Sequence, residues 1–173
     1  MKIYLVRHTL VDVPSGTCYG QTDVPLSDSF EQESYSVIQK LKHAAPDTVY
    51  SSPLSRCTRL AERCGYTGVK LASELMEANF GEWEMQKWNQ IDMSAWENGG
   101  WTDNPPPGGE SFRQMLQRVT AFFDRLKQEP FRSVVIFTHG GVFACVRVYL
   151  GMSDISGALV QSFKYGTVWE IVN

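Results

Sequence analysis

IYLVRHT, residues 3–9, is an apolar run rich in β-branched and aromatic residues that ends abruptly in Arg7 and His8. Its length and composition are typical of a fully buried strand. A second run, SVVIFTHGG at residues 133–141, has the same form and carries His139 close to its end. If the two strands are parallel neighbours, both histidines lie at one edge of the sheet, where ligands bind in folds of this kind.

The rest of the chain alternates short apolar runs with segments of helical periodicity. Glycine and proline separate most of these segments, as turn residues do. The alternation predicts an α/β fold with a mainly parallel sheet. The predicted strands cover residues 3–8, 48–52, 69–73 and 133–139, with residues 163–173 as a further strand or hairpin arm. The predicted helices cover residues 28–43, 53–65, 110–128 and 142–151.

Residues 77–109 depart from this alternation. They contain four of the five tryptophans, Trp83, Trp88, Trp96 and Trp101, and end in a run of prolines and glycines. We expect this segment to form a partial lid over the sheet edge, with one or two short helices. The tryptophans either stack on a flat ligand or form a small core of the lid, and the second interpretation is favoured for most of them.

Length and composition exclude several classes of protein. A chain of 173 residues with 43% hydrophobic and 20% charged residues fits a single domain, residues 1–173. A net charge of −3 without a basic stretch argues against nucleic acid as a partner. The apolar runs are too short for a membrane span and no signal-peptide pattern precedes the first strand, so we expect a cytoplasmic protein. Cys18, Cys57, Cys64 and Cys145 are expected to be reduced, and none has zinc-site spacing.

Several polar residues converge on the predicted sheet edge. Arg7 and His8 follow the first strand, His139 follows the other, and Arg56 lies just inside the second predicted helix. Two guanidinium groups and two imidazoles form a compact pocket that suits a dianionic phosphate without a metal ion or another cofactor. Gly140, which precedes the last predicted helix, is expected to add a backbone N–H donor.

A neutral imidazole in such a pocket predicts nucleophilic attack at phosphorus. The neighbouring guanidinium groups disfavour imidazolium, so one histidine attacks while the other, in its charged form, stabilises the transferring oxygens. The leaving alkoxide then needs a proton from an acid within reach. The residues alone nominate four carboxyl groups that flank the excursion, those of Glu77, Glu82, Glu84 and Glu110.

Five motifs occur in one order along nearly the whole chain. They are RHT at residues 7–9, YSSPLSR at residues 50–56, ExxFGxWE at residues 77–84, PGGES at residues 107–111 and THGG at residues 138–141. Together they resemble the histidine phosphatase superfamily, also called the phosphoglycerate mutase-like family. The resemblance implies a three-layer α/β/α sandwich with a mainly parallel central sheet, and a phosphatase that acts on a small-molecule phosphomonoester.

The resemblance also implies a role for each matching residue. It makes His8 the phosphorylated nucleophile and Glu77 the proton donor, and it places Arg7, Arg56 and His139 around the phosphate. Metal-independent hydrolysis through a phosphohistidine is therefore expected.

The segment after the nucleophile departs from the commoner family pattern. Thr9 stands where glycine is usual, and the family's downstream Thr and Asn have no counterpart here. We expect the loop at residues 18–26 to replace their contacts, with Gln21 as the polar group that binds phosphate. Residues 7–26 resemble the α-ribazole-5′-phosphate phosphatase branch, which serves assembly of the cobalamin nucleotide loop.

Two other functions compete with hydrolysis, one of them a mutase and the other a non-catalytic binding module. Mutases of the family carry extra lid sequence and a C-terminal tail that shield the phosphoenzyme from water, whereas this chain stops after its last predicted strand, which favours hydrolysis. A module that binds phosphorylated ligands without turnover is the second rival. The presence of His8, Glu77 and His139 together argues against it, because a binding module has no need of an acid.

Overall fold

A computed structural model describes residues 1–172 and shows one five-stranded sheet. The strands are β1 Lys2–Arg7, β2 Thr48–Ser51, β3 Lys70–Leu71, β4 Ser133–Thr138 and β5 Val168–Val172. Their order across the sheet is β3-β2-β4-β1-β5. The pairs β1–β4, β2–β4 and β2–β3 are parallel, and β5 runs antiparallel to β1. The sheet is therefore mainly parallel, as predicted.

Helices cover both faces of the sheet. They are α1 Phe30–Leu41, α2 Ser55–Arg63, α3 Phe112–Leu126, α4 Gly140–Tyr149 and α5 Ile155–Val160. Alternate residues of a strand point to opposite faces. Accordingly, Val135 joins the cluster that includes α1 and α2, while Val134 and Ile136 join the cluster that includes α3, α4 and α5. The predicted three-layer α/β/α sandwich is confirmed.

Helix α3 shows how the local sequence fixes the element that underlies the site. Ser111 and Gln114 form a capping box, in which each side chain accepts a hydrogen bond from the other residue's backbone N–H. Met115, Val119 and Phe122 then recur at helical spacing and are buried against the sheet. The helix thus begins where predicted, within two residues.

Three parts of the secondary structure differ from the prediction, and one of them is the last strand, which begins at Val168 rather than at residue 163. The strand expected over residues 69–73 is only Lys70–Leu71, and both of these edge residues are exposed. Helix α5 was not predicted, because it has only six residues and includes Gly157; Asp154 caps it by accepting a hydrogen bond from the Gly157 N–H.

The predicted lid, residues 77–109, contains three 3₁₀ segments, where one or two short helices were expected. These 3₁₀ segments are Gly81–Trp83, Trp88–Gln90 and Ser94–Thr102. Within residues 1–172, no helix has both the length and the apolar character that crossing a bilayer requires.

Candidate active site

The two histidines meet because β1 and β4 are parallel neighbours. Arg7 is in register with Thr138, so the residues that follow each strand emerge side by side. The ring centroids of His8 and His139 are 5.1 Å apart, and both side chains are buried. The sequence prediction that both imidazoles lie at one sheet edge therefore holds in the structure.

His8 is held in one tautomer. Its Nδ1 lies 2.7 Å from the carbonyl oxygen of Thr9, and a carbonyl only accepts, so Nδ1 carries the proton and Nε2 keeps its lone pair. Burial and the charges of Arg56 and Arg7 together lower the pKa of His8 to about 3, against the opposing hydrogen bond to Thr9. His8 is therefore neutral at physiological pH, as a nucleophile must be.

His139 differs from the expected charged form. Its Nδ1 accepts a hydrogen bond from Arg56 Nε at 3.3 Å, so its Nε2 carries the proton and donates to Ser52 Oγ at 2.8 Å. Burial, followed by the charges of His8 and Arg56, lowers the pKa of His139 well below its ordinary value. The ring is therefore neutral and helps to hold the Arg56 side chain.

Arg56 is fully buried and binds the loop at residues 18–26. It donates to the carbonyl oxygens of Thr22 at 3.0 Å and Gly20 at 2.5 Å, in addition to His139. A guanidinium group has five N–H donors, so two remain for an anion. Its role as a phosphate ligand stays a prediction, and the structure adds the role of anchoring this loop.

Arg7 lines the cavity beside His8. Its guanidinium group donates to the Phe163 carbonyl and lies 4.1 Å from the Tyr165 ring centroid, a cation–π contact. Its Nε is buried and has no hydrogen-bond partner among residues 1–172. A Cβ at Gly140 would lie 3.3 Å from the guanidinium carbon, so the glycine leaves room for this side chain. The predicted N–H donation by Gly140 to phosphate stays a prediction.

Glu77 lies on the same cavity as Arg7 and His8. Its carboxylate accepts hydrogen bonds from the Gly141 N–H at 3.1 and 3.2 Å and from the Ala78 N–H at 3.0 Å. The Gly141 N–H thus helps to hold the Glu77 carboxylate in place. A Cβ at Gly141 would lie only 2.2 Å from Glu77 Oε1, so glycine permits this approach.

The other three nominated carboxyl groups do not line this cavity as the structure describes it. Glu82 is exposed, and Glu110 pairs with Arg118. Glu84 accepts hydrogen bonds from the backbone and side chain of Thr22 and from the Gln21 N–H. Burial raises the pKa of Glu84, but these hydrogen bonds outweigh it and keep the pKa below its usual range.

Gln21 contacts the acid's backbone. Its side-chain amide donates to the carbonyl oxygen of Glu77 at 3.1 Å. This contact helps to position the acid, and phosphate binding by Gln21 stays a prediction. Nearby, a Cβ at Gly20 would lie 1.9 Å from the Ala78 carbonyl oxygen, so the loop approaches the segment that carries Glu77 very closely.

Arg118 is a positioning residue that the sequence prediction missed. Its guanidinium group pairs with Glu110 and donates to the carbonyl oxygens of Glu74 at 2.7 Å, Met76 at 2.8 Å and Glu77 at 3.0 Å. The sequence signal that could have identified it is the position of its charged side chain, one turn after Met115 on the apolar side of α3. These contacts fix the backbone of the segment that carries Glu77.

The cavity has a volume of about 270 Å³ and is partly aromatic. Phe80, Trp88 and Trp101 line it together with His8 and Glu77, whereas His139 is not among its lining residues. Trp96 instead stacks on Trp101, with ring centroids 5.2 Å apart, and contacts Trp83 at 4.6 Å. Two of the four lid tryptophans thus face the cavity, and the other two pack within the lid.

The part of the chain that the structure describes contains no evident metal site. Within residues 1–172, no group of three or more His, Cys, Asp or Glu side chains is arranged to hold a metal ion. The buried Cys57 thiol lies 3.5 Å from His139 Nε2, and burial raises its pKa, so it is protonated rather than a ligand.

Fold and site together are those of a phosphatase with a histidine at its centre. The chain belongs to the histidine phosphatase superfamily (branch 1), which it matches over residues 3–167. This match confirms the family and the enzyme class that the five motifs predicted.

Individual relatives carry two kinds of name. The chain is 28% identical over 156 residues to the adenosylcobalamin/alpha-ribazole phosphatase of Escherichia coli (strain K12), covering 83% of this chain and 76% of that protein. It is 32% identical over 152 residues to the probable phosphoglycerate mutase GpmB of Erwinia tasmaniensis, covering 81% and 70%. The alpha-ribazole phosphatase structure from Shigella flexneri superposes with a TM-score of 0.88 at 25% identity, over 99% of this chain and 90% of that chain.

Proposed function

We propose that this phosphatase hydrolyses phosphomonoesters through a phosphohistidine on His8. The supporting observation is that His8, Glu77 and Arg7 line one cavity, with His8 in the tautomer that leaves a lone pair on Nε2. Nε2 attacks phosphorus, the ester P–O bond breaks, and Glu77 protonates the leaving oxygen. Water then attacks the phosphohistidine, Glu77 takes a proton from that water, and the N–P bond breaks to release inorganic phosphate.

The guanidinium groups supply the positive charge that phosphoryl transfer requires. Arg7 has a buried Nε without a protein partner within residues 1–172, and Arg56 has two donors to spare. Both are preorganised by contacts to backbone carbonyls, so little rearrangement is needed as charge develops on the phosphoryl oxygens. This arrangement favours a mechanism without a metal ion.

Trapping the intermediate tests the mechanism. Enzyme mixed with a ³²P-labelled phosphomonoester and quenched in alkali should carry label that acid removes, at His8. The exposed His43 serves as the internal control for non-specific labelling. Label recovered at His139 would reverse the assignment, and turnover without any labelled histidine would refute a covalent intermediate.

We further propose that the substrate is α-ribazole 5′-phosphate. Residues 7–26 carry the supporting sequence pattern, two similar proteins are named alpha-ribazole phosphatases, and Tyr19, Trp88 and Trp101 offer aromatic surface. A stacked ring contributes about 1 kcal/mol, so two contacts correspond to about tenfold or more in kcat/KM over 3-phosphoglycerate. Equal kcat/KM values for the two esters would refute the substrate assignment and leave a broad phosphatase.

The similarity to the Erwinia tasmaniensis protein makes phosphoglycerate mutase the second candidate. The two functions give different products from 3-phosphoglycerate. A mutase forms 2-phosphoglycerate, whereas the proposed hydrolase releases inorganic phosphate, and one incubation measured for both products distinguishes them.

A further inference from the structure

A second cavity adjoins the catalytic one. Its volume is about 550 Å³, and it shares Thr17, Tyr19 and Trp88 with the cavity that contains His8. The catalytic cavity, at about 270 Å³, is smaller than the roughly 300–1,000 Å³ typical of sites for drug-sized ligands. A phosphoryl group with a small alcohol fits it, but a nucleoside-sized alcohol has to extend beyond it.

The second cavity is unsuited to an anion. Leu10, Val11, Val13 and Trp88 contribute apolar surface. None of the residues that line it in the described part of the chain is Lys, Arg or His, and Asp12 is the one acidic residue among them. A second negative charge on the leaving alcohol would therefore lose water without meeting a cation among these lining residues, and it would face Asp12.

Two tyrosines join this cavity to the catalytic residues. The hydroxyls of Tyr19 and Tyr165 are 2.7 Å apart, so one donates to the other and one O–H remains free to donate to a ligand. The Tyr165 ring also lies over the Arg7 guanidinium and 5.5 Å from the His8 ring. An alcohol bound here finds hydroxyl partners next to the reacting phosphorus and an aromatic face at Trp88.

We propose that the second cavity binds the leaving alcohol, and that it selects an uncharged alcohol with a flat aromatic group over one that carries another anion. The inference rests on the proposed function, since the phosphoryl group has to lie at His8. It adds the place where the alcohol binds and the chemical class that this place accepts.

Placing a cation in the second cavity tests this selection. Val13 lines the second cavity and not the catalytic one. Val13→Arg should lower kcat/KM for α-ribazole 5′-phosphate about tenfold and raise it several-fold for 3-phosphoglycerate. Turnover of p-nitrophenyl phosphate, whose leaving group is small, should stay within about twofold and reports that the variant is folded. The matched control Val13→Met should resemble the wild type on all three esters.

Each outcome decides a separate point. An unchanged ratio between the two large substrates in Val13→Arg, with p-nitrophenyl phosphate still turned over, overturns the cavity assignment and leaves the His8 chemistry in place. If Val13→Arg does not fold, Leu10→Arg introduces the same charge at a side chain that is 40% exposed.

Absence of turnover of all three esters by the wild type would overturn the proposed function instead. The cavity is then tested by binding alone, using quenching of tryptophan fluorescence by dephosphorylated α-ribazole. Weaker binding by Val13→Arg than by the wild type supports the assignment. Equal binding by the two proteins, or no binding by the wild type, overturns it.

Discussion

Replacing Gly141 by alanine should disable Glu77 without altering it. The new Cβ would lie 2.2 Å from Glu77 Oε1 and 2.9 Å from Met115 Cε. The methionine end is flexible, but the carboxylate is held between the Gly141 and Ala78 N–H groups. To reach an ordinary contact distance of 3.4 Å, Oε1 has to retreat by about 1.2 Å.

A displacement of this size has a known consequence for catalysis. Misplacing a reacting group by about 1 Å can lower the rate about 10²-fold, which lies within the 10²–10⁴-fold that general acid catalysis contributes. We expect Gly141→Ala to lower kcat on an alkyl phosphate about 100-fold, and less than about tenfold on p-nitrophenyl phosphate, whose leaving group needs little protonation. Alanine favours a helix by about 1 kcal/mol over glycine, so the variant should still fold.

A double-mutant cycle tests whether Gly141→Ala lowers kcat through Glu77. Glu77→Gln removes the transferable proton, and Gly141→Ala should add little to it because both changes abolish the same step. Gly140→Ala is the comparison variant: its Cβ meets the predicted phosphate ligand Arg7 rather than Glu77, so any loss that it causes should be equal on the alkyl and aryl esters. For Gly141→Ala, equal losses on the two esters, or fully additive losses in the double variant, would refute the reasoning.

Three further predictions concern the nucleophile, the metal and pH. His8→Ala should abolish turnover of every ester, and measurable residual kcat in a steady-state assay would assign the attack elsewhere. Chelator treatment should leave kcat nearly unchanged, and a loss restored by Mg²⁺ or Zn²⁺ would rule out the mechanism. The folded-state pKa of His8 is lowered from 6.5 to about 3, so unfolded chains bind more protons between these values and stability falls as pH drops below 6.5. At pH 5.5 the loss from His8 is about 1 kcal/mol, and thermal melts of His8→Gln should show a shallower pH dependence than those of His43→Gln.

The sheet edge was predictable because its information is local. Apolar runs that end in Arg7-His8 and in Thr138-His139 mark two strand ends without reference to the rest of the chain. Parallel pairing of β1 with β4 then brings the imidazoles together, as the alternation of strands and helices implied. The five motifs added the family, which the comparison confirms.

The contacts that place the acid were not predictable in the same way. The spacing of residues could not decide which of four carboxyl groups is the proton donor, because residues 77–110 have no periodicity that relates them to the strands. The bond from the Gly141 N–H to Glu77 and the clamp by Arg118 join segments that are distant in sequence. The neutral state of His139 likewise depends on Arg56 and Ser52, which approach it only in the folded chain.

The position of β1 in the sheet has a consequence for biosynthesis. β1 leaves the ribosome before the other four strands of its sheet, yet its two neighbours, β4 and β5, are the last two of these strands to be made. At 5–20 residues per second, roughly 6–25 s pass before residue 133 is synthesised. During that time an apolar strand has no partner on either edge, a state that favours aggregation and chaperone binding. We therefore expect nascent chains that end before β4 to be inactive and dependent on chaperones. Catalytic activity should arise only when β4 pairs with β1.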